Sequence, residues 1–198
     1  MEEWITTSTI LHDLRDFGNA SAWNRFVARF RPPLLTFAER AGLSASDAQD
    51  LAQEALAAFA DSFRGGNYDR DKGRLGSWLF GIAYNHILRR RRRFQRDQGA
   101  TKANTDTTFW AGVPDEQSAT ALWEREWEAS LVRQCVEHAR NEFPPLTFGA
   151  FELVVLGDRP PRIAAKEMNL PVKTVYDAKY RVLQRVRELR AQLEEVES

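Results

Sequence analysis

The chain has 198 residues, 43% hydrophobic and 28% charged, with 28 basic and 28 acidic side chains, which is room for one medium domain or two small ones with a real core and argues against wholesale disorder. The single Cys135 excludes a disulfide framework and a multi-cysteine zinc site, and His12, His86 and His138 are too dispersed to suggest a metal cluster. No apolar run approaches the ~20 residues of a membrane span, and Met-Glu-Glu-Trp lacks the features of a signal peptide, so a cytoplasmic protein without membrane insertion is expected.

Hydrophobic spacing is helical almost throughout, with no two-residue alternation of strand length, so the expected fold is all-α. The first helix is predicted over about Ala20 to Arg31, with Trp23, Phe26, Val27 and Phe30 on its apolar side. Pro32 and Pro33 then start a second helix that Gly42 ends. Ser44 or Ser46 caps a third, about Asp47 to Arg64, which Gly65-Gly66 terminates. After a polar loop, Asn67 to Arg74, a fourth helix runs from Leu75 into an arginine run.

The stretch Asp97 to Ala119 mixes Gly, Thr, Asn, Asp and Pro without periodicity and reads as a flexible linker. Trp123, Trp127, Leu131, Cys135 and Ala139 then recur at every fourth position of one helix, broken at Pro144-Pro145. Thr147 is expected to cap a short helix Phe148–Leu156, and Pro160-Pro161 to precede another ending at Met168. Asn169-Leu170-Pro171 make a turn into a last helix from about Val172 past Leu193. The expected organisation is a helical domain over 1–96, an acidic linker over 97–119 and a helix-turn-helix domain over 120–198. Residues 1–19 read as a short helix packed on the first domain.

Zero net charge conceals an uneven distribution. Six of the eight residues 89–96 are arginine, residues 162–190 carry eight basic against three acidic groups, and residues 99–130 carry two basic against six acidic. Two basic patches separated by an acidic stretch suggest two nucleic-acid contacts on a tether.

Three constellations carry chemistry. In the C-terminal pair, Val175, Ala178, Val182, Val186, Leu189 and Leu193 share an inward face, leaving Lys173, Asp177, Tyr180 and Gln184 opposite and Arg181 and Arg187 flanking. A short helix, a tight turn and a longer helix are the unit whose second helix enters the major groove, though an αα-hairpin with a solvated basic face fits the same pattern. In the third helix Asp47, Asp50, Glu54 and Asp61 fall within an arc of about 60°, beside Gln53. This acidic stripe faces either a basic protein or solvent. The fourth helix spreads Trp78, Phe80, Tyr84 and Ile87 around its girth and ends in Arg89, Arg90, Arg91, Arg92 and Arg93, with Asn67-Tyr68-Asp69 just before it. Aromatic platforms beside a cationic run bind single-stranded nucleic acid; a helix buried on both sides is the alternative.

No Gly-rich phosphate loop, HExxH or nucleophile–base set is present, so no catalytic residue is assigned. Cys135, on the Trp123/Trp127 face, is expected to be a buried structural thiol.

In this order the pieces resemble the extracytoplasmic-function (group IV) sigma factors of bacterial RNA polymerase. The stretches that carry the resemblance are Asp47-Ala-Gln-Asp-Leu-Ala-Gln-Glu54, Gly73-Arg-Leu-Gly-Ser-Trp-Leu-Phe-Gly-Ile-Ala-Tyr-Asn85 with its arginine run, and Ile163 to Leu189. The C-terminal wording is most like planctomycete members. The resemblance implies a non-enzymatic promoter-specificity factor that needs no metal or cofactor of its own. Asp47, Asp50, Gln53 and Glu54 would meet the basic β′ coiled coil of core polymerase. Asn67, Tyr68 and Asp69 would hold a flipped base of the −10 element, with Trp78, Tyr84, Asn85 and Arg89 to Arg93 on the melted or adjacent DNA. Lys173, Thr174, Tyr176, Asp177, Tyr180, Arg181 and Gln184 would read the −35 element.

The family also implies the β flap as a contact, a linker directed to the RNA exit path, and in many members an anti-sigma partner. Two positions depart from the pattern: Arg89 stands where many relatives are acidic, and Gly76 where a basic or bulky residue is usual. A stand-alone helix-turn-helix regulator is the alternative function; a helical enzyme acting on nucleic acid is disfavoured by the missing catalytic groups.

Overall fold

The computed structural model describes residues 7–16, 18–69, 73–98 and 115–197. Among the described residues all regular structure is helical: α1 (Thr7–Asp13), α2 (Ala20–Arg40), α3 (Ala45–Arg64), α4 (Leu75–Gln98), α5 (Glu116–Glu142), α6 (Pro145–Phe151) continued by a π-helical turn (Glu152–Leu156), α7 (Pro161–Glu167) and α8 (Val172–Glu197). Apart from a few terminal residues, one compact unit comprises Ser8–Ser130 and the other Leu131–Val196.

The N-terminal unit is built on α2. Two separate helices were expected on either side of Pro32, but α2 runs unbroken through Pro32 and Pro33. A proline inside a helix costs ~3 kcal/mol or more in lost hydrogen bonding and crowding. Here that cost is offset by one continuous buried stripe, Phe26, Phe30, Pro33, Leu34 and Phe37, which only an uninterrupted helix can present. Asn19 caps its start, Oδ1 accepting from the Ala22 N–H at 3.0 Å. Ser44, not Ser46, caps α3 by accepting from the Asp47 N–H at 3.2 Å. At the end of α3 the N–H groups of Gly66 and Asn67 reach back to the Phe63 and Ser62 carbonyls, a closure that needs the positive φ of Gly66 (71°). The short helix expected near the N-terminus is α1, whose Ile10 is buried, as is Leu14 just beyond it, while Asp13 pairs with Arg25 at 2.8 Å.

The start of α5 differs from expectation. Residues 116–119, read as linker, form its first turn, with Asp115 Oδ1 accepting from the Ser118 N–H at 2.8 Å. Trp123 and Trp127, expected in the C-terminal domain, lie in the N-terminal unit, because the units divide inside α5. Trp127 stacks on Phe30 (centroids 5.5 Å apart, 10° between planes) and Trp123 meets Phe37 edge-on at 5.5 Å. Glu126, between them in sequence and 2% exposed, accepts an ion pair from Arg40 at 2.6 Å. Most of the expected linker, residues 99–114, lies outside the described residues.

In the C-terminal unit Thr147 does not act as a cap. The residue in the N-cap position of α6 is Pro144, which offers no side-chain hydrogen bond, and the second half of the expected helix is the π-helical turn closed by the Gly157 N–H on the Glu152 carbonyl at 2.8 Å. The turn between α7 and α8 is a Schellman closure: the Leu170 N–H bonds the Ala165 carbonyl at 2.9 Å and Asn169 takes a φ of 54°. Small residues, Ala150, Ala164, Ala165 and Ala178, with Val154 and Val175, bring these short helices into close packing.

The Gly76 departure has a steric cause. A Cβ at this buried position would lie 2.8 Å from Cε2 and 3.0 Å from Cζ2 of Trp127, an indole already held against Phe30 and Trp123. Gly76→Ala is therefore expected to destabilise the N-terminal unit by ~1–3 kcal/mol through overpacking, and pairing it with Trp127→Leu should recover part of the loss. Urea denaturation of the single and double variants measures both.

Candidate nucleic-acid interface

The acidic stripe lies on the exposed side of α3, opposite the buried Leu51, Ala52, Ala55 and Phe59. Asp47, Asp50, Gln53 and Glu54 are all exposed. Two of them are engaged by α4. Glu54 Oε1 accepts from Arg90 Nη2 at 2.8 Å, Glu54 Oε2 lies 3.1 Å from His86 Nδ1, and Arg90 Nη1 is 3.7 Å from Asp47 Oδ1. Partial burial alone would raise the Glu54 carboxyl, but the hydrogen bonds and charges of Arg90 and His86 outweigh it and hold it below the ordinary glutamate range. The sequence reading missed His86 and gave Arg90 only to DNA. The available signal was spacing: His86 and Arg90 stand four apart on one helix and Asp47 and Glu54 seven apart on the other, so each pair shares a face.

The loop and the fourth helix meet through their aromatic rings. Tyr68 stacks on Trp78 with centroids 4.8 Å apart, and Trp78 packs in turn on Phe59 at 5.0 Å. Trp78 is thus half-buried, with Phe59 and Tyr68 as its ring neighbours. Asn67 is exposed and Asp69 half-buried, while residues 70–72 lie outside the described residues. Tyr84 is half-buried and stacked on Phe80 at 5.4 Å. Its hydroxyl is raised above the ordinary tyrosine value by burial first, then by the carboxylates of Glu116 and Asp115. Asn85, Arg89, Arg92 and Arg93 are exposed and Arg91 is half-buried. The arginine run therefore divides: Arg90 turns to the α3 carboxylates while Arg89, Arg92 and Arg93 stand toward solvent.

In the C-terminal unit all seven candidate residues, Lys173, Thr174, Tyr176, Asp177, Tyr180, Arg181 and Gln184, are exposed on α8, and the inward set from Val175 to Leu193 is buried. Tyr176 is 52% and Tyr180 65% exposed. Arg181 sits 5.7 Å from the Phe143 ring centroid, and Gln184 donates to Glu188 at 3.3 Å. Arg185 fixes α8 to the end of α5 through a two-point bond to Glu142, 2.5 Å from Nε and 2.7 Å from Nη2. Cys135 is buried, and among the described residues no group of three or more His, Cys, Asp or Glu is placed to hold a metal ion. No helix among them is long and apolar enough to cross a membrane.

Residues 26–97 match the family model of sigma-70 region 2. The chain is also 23% identical over 186 residues to the ECF RNA polymerase sigma factor RpoE of Cereibacter sphaeroides, covering 94% of each sequence. Both likenesses are to RNA polymerase sigma factors, the second to one of the extracytoplasmic-function class.

The Glu142–Arg185 pair sets an acid limit on the C-terminal unit. The Arg185 hydrogen bond first, then the charges of Arg185 and His138, hold the Glu142 carboxyl below its ordinary value of 4.5 against the opposing effect of burial. Because the folded carboxyl is the stronger acid, this pair stabilises the fold above pH 4.5 and loses that contribution as pH falls below it. Arg185→Ala should lower stability at neutral pH by ~1 kcal/mol and flatten this part of the acid dependence. Thermal unfolding followed between pH 3 and pH 7 checks the sign, in both the parent and the variant.

Proposed function

We propose that the chain is a promoter-specificity subunit of bacterial RNA polymerase, binding core enzyme through the α3 face and promoter DNA through both units. The observation that supports this best is a coincidence of position. The segment matching sigma-70 region 2, residues 26–97, is the segment that carries the acidic α3 face, the Tyr68–Trp78 stack and the arginine run within one compact unit. In this reading Asp47, Asp50, Gln53 and Glu54 meet the basic β′ coiled coil. A base extruded from the −10 element enters beside Asn67, Tyr68 and Asp69. Trp78, Tyr84, Asn85 and the exposed arginines follow the strand.

Strand opening needs no catalytic group. Extruding a base costs a few kcal/mol, and stacking on an aromatic side chain returns ~1–3 kcal/mol per base, so binding energy is sufficient to hold a melted segment. In this reading the protein is a non-enzymatic, cytoplasmic factor without a cofactor of its own.

The C-terminal pair α7–α8 is read as the helix-turn-helix that contacts the −35 element. Lys173, Tyr176, Asp177 and Tyr180 lie near the start of the second helix, where side chains reach base edges, and Arg181 flanks them where phosphates pass. The linker would run toward the RNA exit path, and the β flap would receive the C-terminal unit.

Reconstitution with core polymerase tests the reading. Chain-dependent transcripts from a library of promoter fragments are expected, and co-elution with core should be lost in the Asp50→Arg/Glu54→Arg variant. Specific duplex binding by the chain alone, without any transcript from an active cognate core, would favour a stand-alone regulator instead. Lys173→Ala and Tyr180→Ala should each weaken promoter binding by about 5- to 100-fold while sparing co-elution. An equal loss at every sequence would mean that these residues do not read bases.

A further inference from the structure

Both oxygens of the Glu54 carboxylate are occupied from within the chain, one by Arg90 Nη2 at 2.8 Å and the other by His86 Nδ1 at 3.1 Å. The same guanidinium reaches toward Asp47, with Nη1 3.4 Å from its backbone carbonyl and 3.7 Å from its carboxylate. A cationic partner that binds the α3 face must therefore compete with Arg90 and His86 for Glu54. A phosphate that binds Arg90 must likewise compete with Glu54 and Asp47. A ligand that engages either side fully therefore does so at the expense of the internal pair.

We propose that Glu54 is a shared acceptor that withholds Arg90 from nucleic acid in the free chain, so that a basic protein surface taking Glu54 releases Arg90 to a phosphate. The proposal rests on reading the α3 face as the site of a basic partner and the arginine run as a nucleic-acid surface. It adds that the two events are positively coupled through one side chain, and linkage makes the coupling reciprocal: nucleic acid on Arg90 also frees Glu54 for the protein partner. Arg89, Arg92 and Arg93 are exposed and available in both states, so the free chain retains a weaker affinity and gains one contact on release. The pair is half-exposed, which makes the coupling modest, about two- to five-fold.

The test uses the full chain without polymerase, and a labelled 20-nucleotide oligo-dT probe titrated at several salt concentrations. Glu54→Gln should bind the probe about two- to five-fold more tightly, with a salt slope steeper by about 0.7 for the one added phosphate contact. Asp47→Asn/Glu54→Gln, which removes both acceptors, should gain more. Arg90→Ala should cost more affinity in the Glu54→Gln background than in the parent.

Asp61→Asn is the charge-matched control on the same face, and an equal gain there would assign the effect to net charge and overturn the proposal. Equal Arg90→Ala losses in the two backgrounds would overturn it as well, since Arg90 would then be free from the start. Failure of the polymerase reading shows separately, as absence of co-elution with core. Absence of probe binding in every variant would overturn the coupling by removing the nucleic-acid surface itself. Matching thermal transitions for the variants show that affinity, and not folding, has changed.

Discussion

The N-terminal unit hangs on a file of aromatic rings. Phe26 of α2 stacks on Phe59 of α3 at 4.4 Å, Phe59 meets Trp78 of α4 at 5.0 Å, and Trp78 stacks on Tyr68 of the intervening loop at 4.8 Å. Aromatic pairs at such separations contribute ~0.5–1.5 kcal/mol each beyond the burial of their area, but their geometric effect matters more here. A ring held between two ring neighbours is restricted in the orientations it can take. The file therefore sets the rotation of α4 relative to α3, and with it which arginines turn to the acidic face and which turn to solvent.

That rotation explains how one helix can serve two surfaces. The α4 sequence places apolar groups around its girth, and the structure uses them on different sides: Leu75, Leu79, Ala83 and Ile87 are buried in the core, Trp78 joins the loop, and Phe80 meets Phe37, Tyr84 and Trp123. With so much of the circumference packed, the polar groups are confined to narrow strips. Asp47 and Glu54 fall against one of these strips, which is why an acidic face and a cationic run, separated by some forty residues of sequence, share an edge.

The C-terminal unit solves a different problem. Its helices α6 and α7 span seven residues each, too short to be stable alone. Alanines at the contacts let their backbones approach closely, and the Schellman closure at Asn169 fixes the angle at which α8 departs. The long helix is then held by its buried valine and leucine stripe and by the Glu142–Arg185 clamp, leaving its tyrosines and lysine on a supported but open face.

Much of this was legible in the sequence, because helical periodicity, capping residues and glycine stops act locally. The α3 cap at Ser44 and its stop at Gly66, the start of α4 at Leu75, the inward face of α8 and the turn at Asn169 all follow from side chains within a few positions of where they act. The resemblance to a sigma factor was likewise carried by short contiguous stretches. Tertiary structure decided what depends on partners distant in the chain. It kept α2 whole through Pro32 and Pro33, since a buried stripe outweighs a local break. It drew the first half of α5 onto Phe30 and Phe37 and buried Glu126 against Arg40. It also turned Arg90 out of the arginine run to Glu54: spacing puts His86 with Arg90 and Asp47 with Glu54 on shared faces, but only the packing of the two helices brings those faces together.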